Sequence, residues 1–119
     1  MNIVVLGASD KKHRYSYQAV MLLLEKGYSV LPVHKRIKSI EGLHVYSDIN
    51  EIKQDVDTIT LYVNSSLSSL MLDDICSLHP RRIIFNPGAE NQELLIAAQK
   101  KGIEVIEACT LEMLNTDQF

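Results

Sequence analysis

The stretch Ile3-Val4-Val5-Leu6-Gly7 constrains this chain more than any other. Four successive apolar residues, three of them β-branched, need cover on both faces. A strand inside a parallel sheet provides it; a strand with one face in water does not. The run stops at Gly7, and Ala8-Ser9, a basic loop and a helical pattern from about Ser16 follow. Strand, small-residue turn and helix form the opening of a βαβ unit, in which a phosphate can approach the backbone and face the helix N-terminus. A full Gly-x-Gly-x-x-Gly is absent, because the next glycine is Gly27. The turn alone is equally compatible with a strand end that binds nothing.

The rest of the chain repeats the rhythm. A helix is expected from an N-cap at Ser16 through Lys26, with Ala19, Val20, Leu23 and Leu24 on one face and Gly27 as its stop. Strands are expected at Tyr28–Val33, Thr58–Val63, Arg81–Phe85 and Ile103–Ile106, with a short edge strand at His44–Tyr46. Pro32 is expected late in its strand or opposite a gap in the ladder. A brief helix capped by Ser47 or Asp48 is expected through Lys53, and a longer one runs from about Leu67 to Leu78, where Pro80 prevents continuation. The next helix carries Glu90 and Glu93 in its first turn, and one or two helical turns follow Cys109. Strand-helix alternation predicts an α/β fold: a single domain with a three-layer, doubly wound parallel sheet, Rossmann-like, in the order 3-2-1-4-5-6.

Charge is distributed unevenly. Lys11–Lys38 holds seven Lys/Arg and one acid, whereas Ser39–Phe119 holds five Lys/Arg and thirteen acids. A local anion site on an acidic body fits this split, and the acidic body argues against nucleic-acid binding. No apolar run reaches the roughly 18–20 residues of a membrane span. No leader is expected ahead of the first strand. With Cys76 and Cys109 in no redox or metal motif, the chain is read as cytoplasmic and metal-free. Cys76 is expected in the core, and Cys109 as a small buried hydrophobe or a group reaching the pocket.

Ligands of such sheets bind beyond the carboxyl ends of the strands at the switch point. The loops after Gly7, Val33, Val63 and Phe85 are expected to gather there, uniting Lys11, Lys12 and Arg14 with His34, Lys35 and Arg36. NAD binders carry an acid at the end of the second strand. Here His34-Lys35-Arg36 stands in its place, with no acid before Glu41, which suits a phosphorylated ribose, as in NADP or coenzyme A.

Gly7-Ala8-Ser9, Ser16-Tyr17, Gly27-Tyr28, Pro32-Val33 and Cys109 together resemble the small bacterial coenzyme A-binding proteins. Those proteins are similar to the N-terminal coenzyme A-binding domain of the succinyl-CoA synthetase α subunit. The resemblance implies that Gly7 through Lys12 hold the pyrophosphate region, that Lys35 contacts the cofactor, and that Val63-Asn64-Ser65 line the nucleotide pocket. Asn86-Pro87-Gly88-Ala89-Glu90-Asn91 departs from the family's Gln-x-Gly-x-x-Asn-Glu pattern. The synthetase's phosphorylated histidine has no counterpart in this chain.

The expected function is binding of coenzyme A or an acyl-CoA by a non-catalytic or regulatory module. The cofactor-binding residues are expected to be Gly7, Ala8, Ser9, Lys11, Lys12, Arg14, His34, Lys35, Arg36, Val63, Asn64 and Ser65, with none catalytic. An NADP-binding domain of an oxidoreductase and a ligand-free interaction module are the alternatives. The partner is a small-molecule nucleotide cofactor; a second copy of the chain or another protein stays open.

Overall fold

The computed structural model describes residues 1–119. β1 (Asn2–Leu6) leads through a loop to α1 (Tyr15–Glu25) and β2 (Ser29–Val33). A hairpin of β3 (Ser39–Ile40) and β4 (Leu43–His44) and a 3-10 turn at Ile49–Glu51 come before β5 (Thr58–Leu61). The chain then forms α2 (Ser65–Leu70), α3 (Leu72–Ser77), β6 (Arg82–Phe85), α4 (Gln92–Lys100), β7 (Glu104–Glu107) and α5 (Thr110–Asn115). Five strands make one parallel sheet in the order β2-β1-β5-β6-β7.

The period of two in β1 divides the core. Ile3 and Val5 face the layer of α1 and α5, packing with Val20, Leu23, Val30 and Leu114. Val4 and Leu6 face the opposite layer, with Ile59, Leu61, Ile75, Ile83, Phe85 and Leu94. Cys76 belongs to this second cluster, as its position among apolar helix residues predicts.

The expected third strand is much reduced. Leu43 and His44 are taken by the hairpin, whose turn residues Glu41 and Gly42 both have positive φ (49° and 82°), the twist a two-residue hairpin requires. Only Tyr46 pairs with the sheet, through one parallel bridge to Val33. The 3-2-1-4-5-6 order thus survives with its outermost strand shrunk to a single residue. Pro32 sits where that shrinkage tolerates it. Its carbonyl accepts from the Tyr46 N–H at 2.9 Å, so its missing donor faces the side where the ladder does not continue.

The helix expected over Leu67–Leu78 is two helices. Asn64 caps the first by accepting from the Leu67 N–H at 3.0 Å, so it starts earlier than expected. It ends at Met71, whose backbone (φ −104°, ψ 11°) is not helical. The Ser68 hydroxyl donates back to the Ser65 carbonyl at 3.4 Å, a bond that competes with the helix and bends it. The Asn91 side chain then holds this short helix to α4, donating to the Ser65 carbonyl, Ser68 Oγ and Ser69 Oγ while capping α4 through Leu94 N–H. Asp48, one of two expected caps, caps the 3-10 turn. Of the two acids expected in the first turn of α4, Glu93 lies there, whereas Glu90 precedes the helix and accepts from the Gly88 N–H.

Beneath α5 the sheet is polar. Thr58, Thr60 and Arg82 are buried on that face. Arg82 donates through Nε to Thr58 Oγ1 at 2.9 Å, and its guanidinium lies 4.4 Å from the Phe119 ring centroid. Burial draws its pKa below the ordinary value. At the other end of the stripe, Asn86 donates to Thr60 Oγ1 (2.7 Å) and the Leu61 carbonyl (2.8 Å) and accepts from the Thr110 N–H (2.8 Å). The Thr60 and Thr110 hydroxyls complete the network at 2.7 Å. The tail, expected to add only a helical turn or two, closes one layer by these bonds.

Replacing Asn86 by Ala should therefore lower stability by about 3 kcal/mol, because the Thr110 N–H and the Leu61 and Thr60 oxygens stay buried with fewer partners. Urea unfolding with an unchanged denaturant slope checks this; a loss below about 1 kcal/mol would show that the network is dispensable.

Candidate functional site

The carboxyl ends of β1, β2 and β5 converge on a cavity of about 760 Å³. The Gly7 and Ala8 N–H groups both bond to the Val33 carbonyl at 3.1 Å, tying the exit of β1 to β2. The Tyr62 N–H bonds to the Leu6 carbonyl at 2.9 Å, tying the exit of β5 to β1 from the other side. Between these clamps the chain turns through Ser9, whose hydroxyl accepts from the Lys11 N–H at 3.0 Å. A turn closed by Arg14 N–H to the Lys11 carbonyl delivers it into α1.

Gly7 has a packing role beside the one its place in the motif implies. Its φ is +91°, and an added Cβ would come within 2.9 Å of Val63 Cγ1 and 3.2 Å of the Tyr62 carbonyl carbon. The missing side chain makes room for the loop after β5, at a backbone angle that L-residues avoid.

The start of α1 also differs from expectation. Arg14, not Ser16, is the N-cap, and no side chain caps the helix. Ser16 is buried within the first turn. The N–H groups of Tyr15, Ser16 and Tyr17 have no acceptor in the protein, and Tyr15 and Ser16 line the cavity. By contrast, Asn64 and Asn91 cap α2 and α4 with their own side chains. An eleven-residue helix thus presents free donors and the positive end of its dipole to a cavity also lined by Lys11, His13, Arg14 and His34.

Of the residues the sequence points to, Gly7, Ala8, Ser9, Lys11, Arg14, His34, Val63 and Asn64 line the cavity. Lys12, Lys35 and Arg36 are exposed on its loops without lining it, and Ser65 is turned into α2, its carbonyl bonded to Asn91. Three loops form the walls, not the four expected. The loop after Phe85 contributes no wall residue, and its Asn86 is buried in the network described above. Cys109 is half-buried at the cap of α5 and does not line the cavity.

Asp10, within the Gly7–Lys12 stretch, and His13 line the cavity as well, and Tyr15, Ser16, Ile37, Tyr62 and Leu67 line it beyond expectation. Asp10 and His13 lie inside the basic loop, where adjacency alone pointed to them. Leu67 belongs to a helix that begins earlier than its pattern implies. Tyr62 reads as the interior of a strand, but β5 ends one residue before it. Its hydroxyl is buried with no hydrogen-bond partner, the nearby Thr60 and Thr110 hydroxyls being bonded to each other. Burial pushes the Tyr62 phenol up to about 12.

Residues 1–115 match the family described as CoA binding domain. The chain belongs to that family. Among curated relatives, the uncharacterised protein YneT of Bacillus subtilis (strain 168) is 24% identical over 104 residues, covering 87% of this chain and 77% of its own. A crystal structure of an uncharacterised protein superposes with a TM-score of 0.93 at 36% identity, covering 99% of this chain and 97% of the other. A dinucleotide-forming acetyl-coenzyme A synthetase 1 from Ca. Korarchaeum cryptofilum shares the fold, with a TM-score of 0.75 at 22% identity. That match covers 90% of this chain and 26% of the synthetase. No helix is long and apolar enough to cross a membrane.

Two predictions follow from these contacts. Gly7→Ala should destabilise the domain by about 2 kcal/mol or more, from positive-φ strain and the close approach to the loop after β5. Gly27→Ala, at φ +90° with nothing within 4 Å, is the control for strain alone; equal losses in urea unfolding would refute the packing role of Gly7. The raised phenol of Tyr62 predicts a loss of stability between about pH 10 and 12. There the unfolded state releases the Tyr62 proton and the native state retains it, so stability falls as pH rises. Tyr62→Phe should flatten that slope, and phenolate absorbance should show one fewer late-titrating tyrosine.

Proposed function

We propose that this chain binds coenzyme A or an acyl-coenzyme A, with the pyrophosphate at the start of α1 and the adjoining basic loops around it. The observation that carries this reading is the uncapped N-terminus of α1, which opens into the basic cavity at the switch point of the sheet. Backbone donors and a helix dipole are the usual receivers of a phosphate group. Family membership supports coenzyme A over other phosphorylated nucleotides. The cavity has apolar wall as well as charge, from Ile37, Tyr62, Val63 and Leu67. That mixture suits a ligand with an anionic nucleotide end and a largely uncharged pantetheine arm.

The reading includes a binding role without catalysis. A general base needs a partner that orients it. Asp10, the one carboxylate of the cavity, makes no hydrogen bond to His13 or His34. Hydride transfer needs a second surface to hold a substrate against the nicotinamide, and the lining residues of the cavity all come from the one sheet's loops and the helices that follow them.

Titration calorimetry of coenzyme A, acetyl-CoA, NADP and NAD tests the proposal. Coenzyme A and its acetyl ester should bind most tightly, with an affinity that falls as salt is raised. Arg14→Ala and Lys11→Ala should each weaken coenzyme A about tenfold, an exposed charge-assisted hydrogen bond being worth less than a buried one. NADP binding more tightly than coenzyme A would overturn the assignment. Coenzyme A released in many-fold excess over protein from acetyl-CoA would overturn the non-catalytic role.

A further inference from the structure

His34 joins two parts of the site. It directly follows β2, its backbone N–H bonds to the Tyr46 carbonyl at 2.9 Å, and it lines the cavity. Its Nδ1 lies 3.0 Å from the Arg36 nitrogen and 3.2 Å from the Ile37 nitrogen. Both are backbone N–H donors, and neither has another acceptor. Nδ1 must therefore present its lone pair, and a neutral imidazole then carries its proton on Nε2. Nε2 makes no hydrogen bond within the protein.

The choice of residue adds to this. A turn in which a side chain accepts from the N–H two residues ahead is ordinarily made by Asn, Asp, Ser or Thr. Asp would place a negative charge beside Lys11, Arg14 and the start of α1. Asn, Ser and Thr would close the turn, but none sets a donor as far from the backbone as a ring Nε2. Histidine closes the turn without charge and, across the same planar ring, holds a donor at a fixed distance from the acceptor.

We propose that His34 is locked by the following loop as the neutral Nε2–H tautomer and donates one hydrogen bond from Nε2 to a phosphate oxygen of the bound ligand. Through Nδ1 it also holds Ile37 on the cavity wall. His34 is thus a ligand contact and a positioning residue at once, with the two tasks divided between its ring nitrogens. The donor role rests on the coenzyme A reading above; the tautomer and the turn do not.

Nitrogen-15 NMR of the free protein at neutral pH should show His34 with a bare Nδ1 and a protonated Nε2. A proton on Nδ1 would overturn the proposal. His34→Asn keeps the acceptor and withdraws the donor, because with Oδ1 in the place of Nδ1 the amide Nδ2–H falls near the ring's Cδ2 position and short of Nε2. It should unfold at the wild-type temperature, keep slow amide exchange at Arg36 and Ile37, and bind coenzyme A about tenfold more weakly. His34→Ala should lose that amide protection and weaken binding further. Wild-type affinity in the Asn variant would overturn the donor role, and wild-type amide protection in the Ala variant would overturn the positioning role.

Dephospho-coenzyme A locates the phosphate. A penalty shared by both compounds places the bond at the pyrophosphate, and a penalty seen only with coenzyme A places it at the ribose phosphate. Inorganic pyrophosphate separates the two readings. Binding of pyrophosphate weakened by His34→Asn, without binding of coenzyme A, would keep the donor and overturn the coenzyme assignment. Binding of neither compound to the wild-type chain would overturn both.

Discussion

The structure depends on β1 being buried on both faces and hydrogen-bonded along both edges. Ile3, Val4 and Val5 have no exposed surface, and the strand pairs in parallel with β2 on one side and β5 on the other. Parallel neighbours cannot be joined by tight hairpins, so each connection must cross a face of the sheet. The crossover to β2 carries α1 over one face, and the chain then reaches β5 with its next helices on the other. The reversal opens a crevice at the carboxyl end of β1. The site is a consequence of this topology, and the loops supply its charge.

A second constraint is polar. One face of β5 turns Thr58 and Thr60 toward α5 where the other turns Ile59 and Leu61 toward apolar neighbours. Apolar cover alone would strand those hydroxyls. Asn86, Thr110 and Arg82 satisfy them: Asn86 ties β5 to the loop after β6, Thr110 ties it to α5, and Arg82 ties it to β6 within the sheet. Such a face requires particular partners in one register, whereas apolar packing tolerates several. Hydrogen bonds to Thr110 therefore join Leu114 in holding α5 to the sheet, and the loop after β6 serves the scaffold through Asn86.

The sequence reveals what its periodicities encode. The doubly apolar run of β1, the spacing of Val20 and Leu23 in α1 and the stop at Gly27 are local signals, and the sheet order follows from them with the handedness of crossovers. Ser16 is a good cap in isolation, but the turn closed at Arg14 starts α1 sooner. The break at Met71 lies beside Ser68 and Ser69, which are held by Asn91 more than twenty positions further along the chain. The Thr60–Thr110 pair spans fifty positions, and a threonine in a strand reads as a β-branched residue whatever its hydroxyl meets. Within the site, the loops that carry charge were legible, but the direction of each side chain was not. Lys35 and Arg36 follow the turn set by His34 out to the rim, and no pattern of residue types announces that turn.

The two ends of the sheet differ in how they stop. Beyond β2, Tyr46 covers the backbone at one point and Pro32 offers no N–H to an incoming strand. Beyond β7, no strand follows, yet Val105 and Ile106 are bracketed by exposed Glu104 and Glu107. A second copy laid edge to edge in register would bring like carboxylates together, so each border carries its own obstacle to unlimited sheet growth. An open parallel sheet is a template for aggregation unless its margins are spoiled, and here a proline with a lone bridge spoils one margin and a pair of glutamates the other.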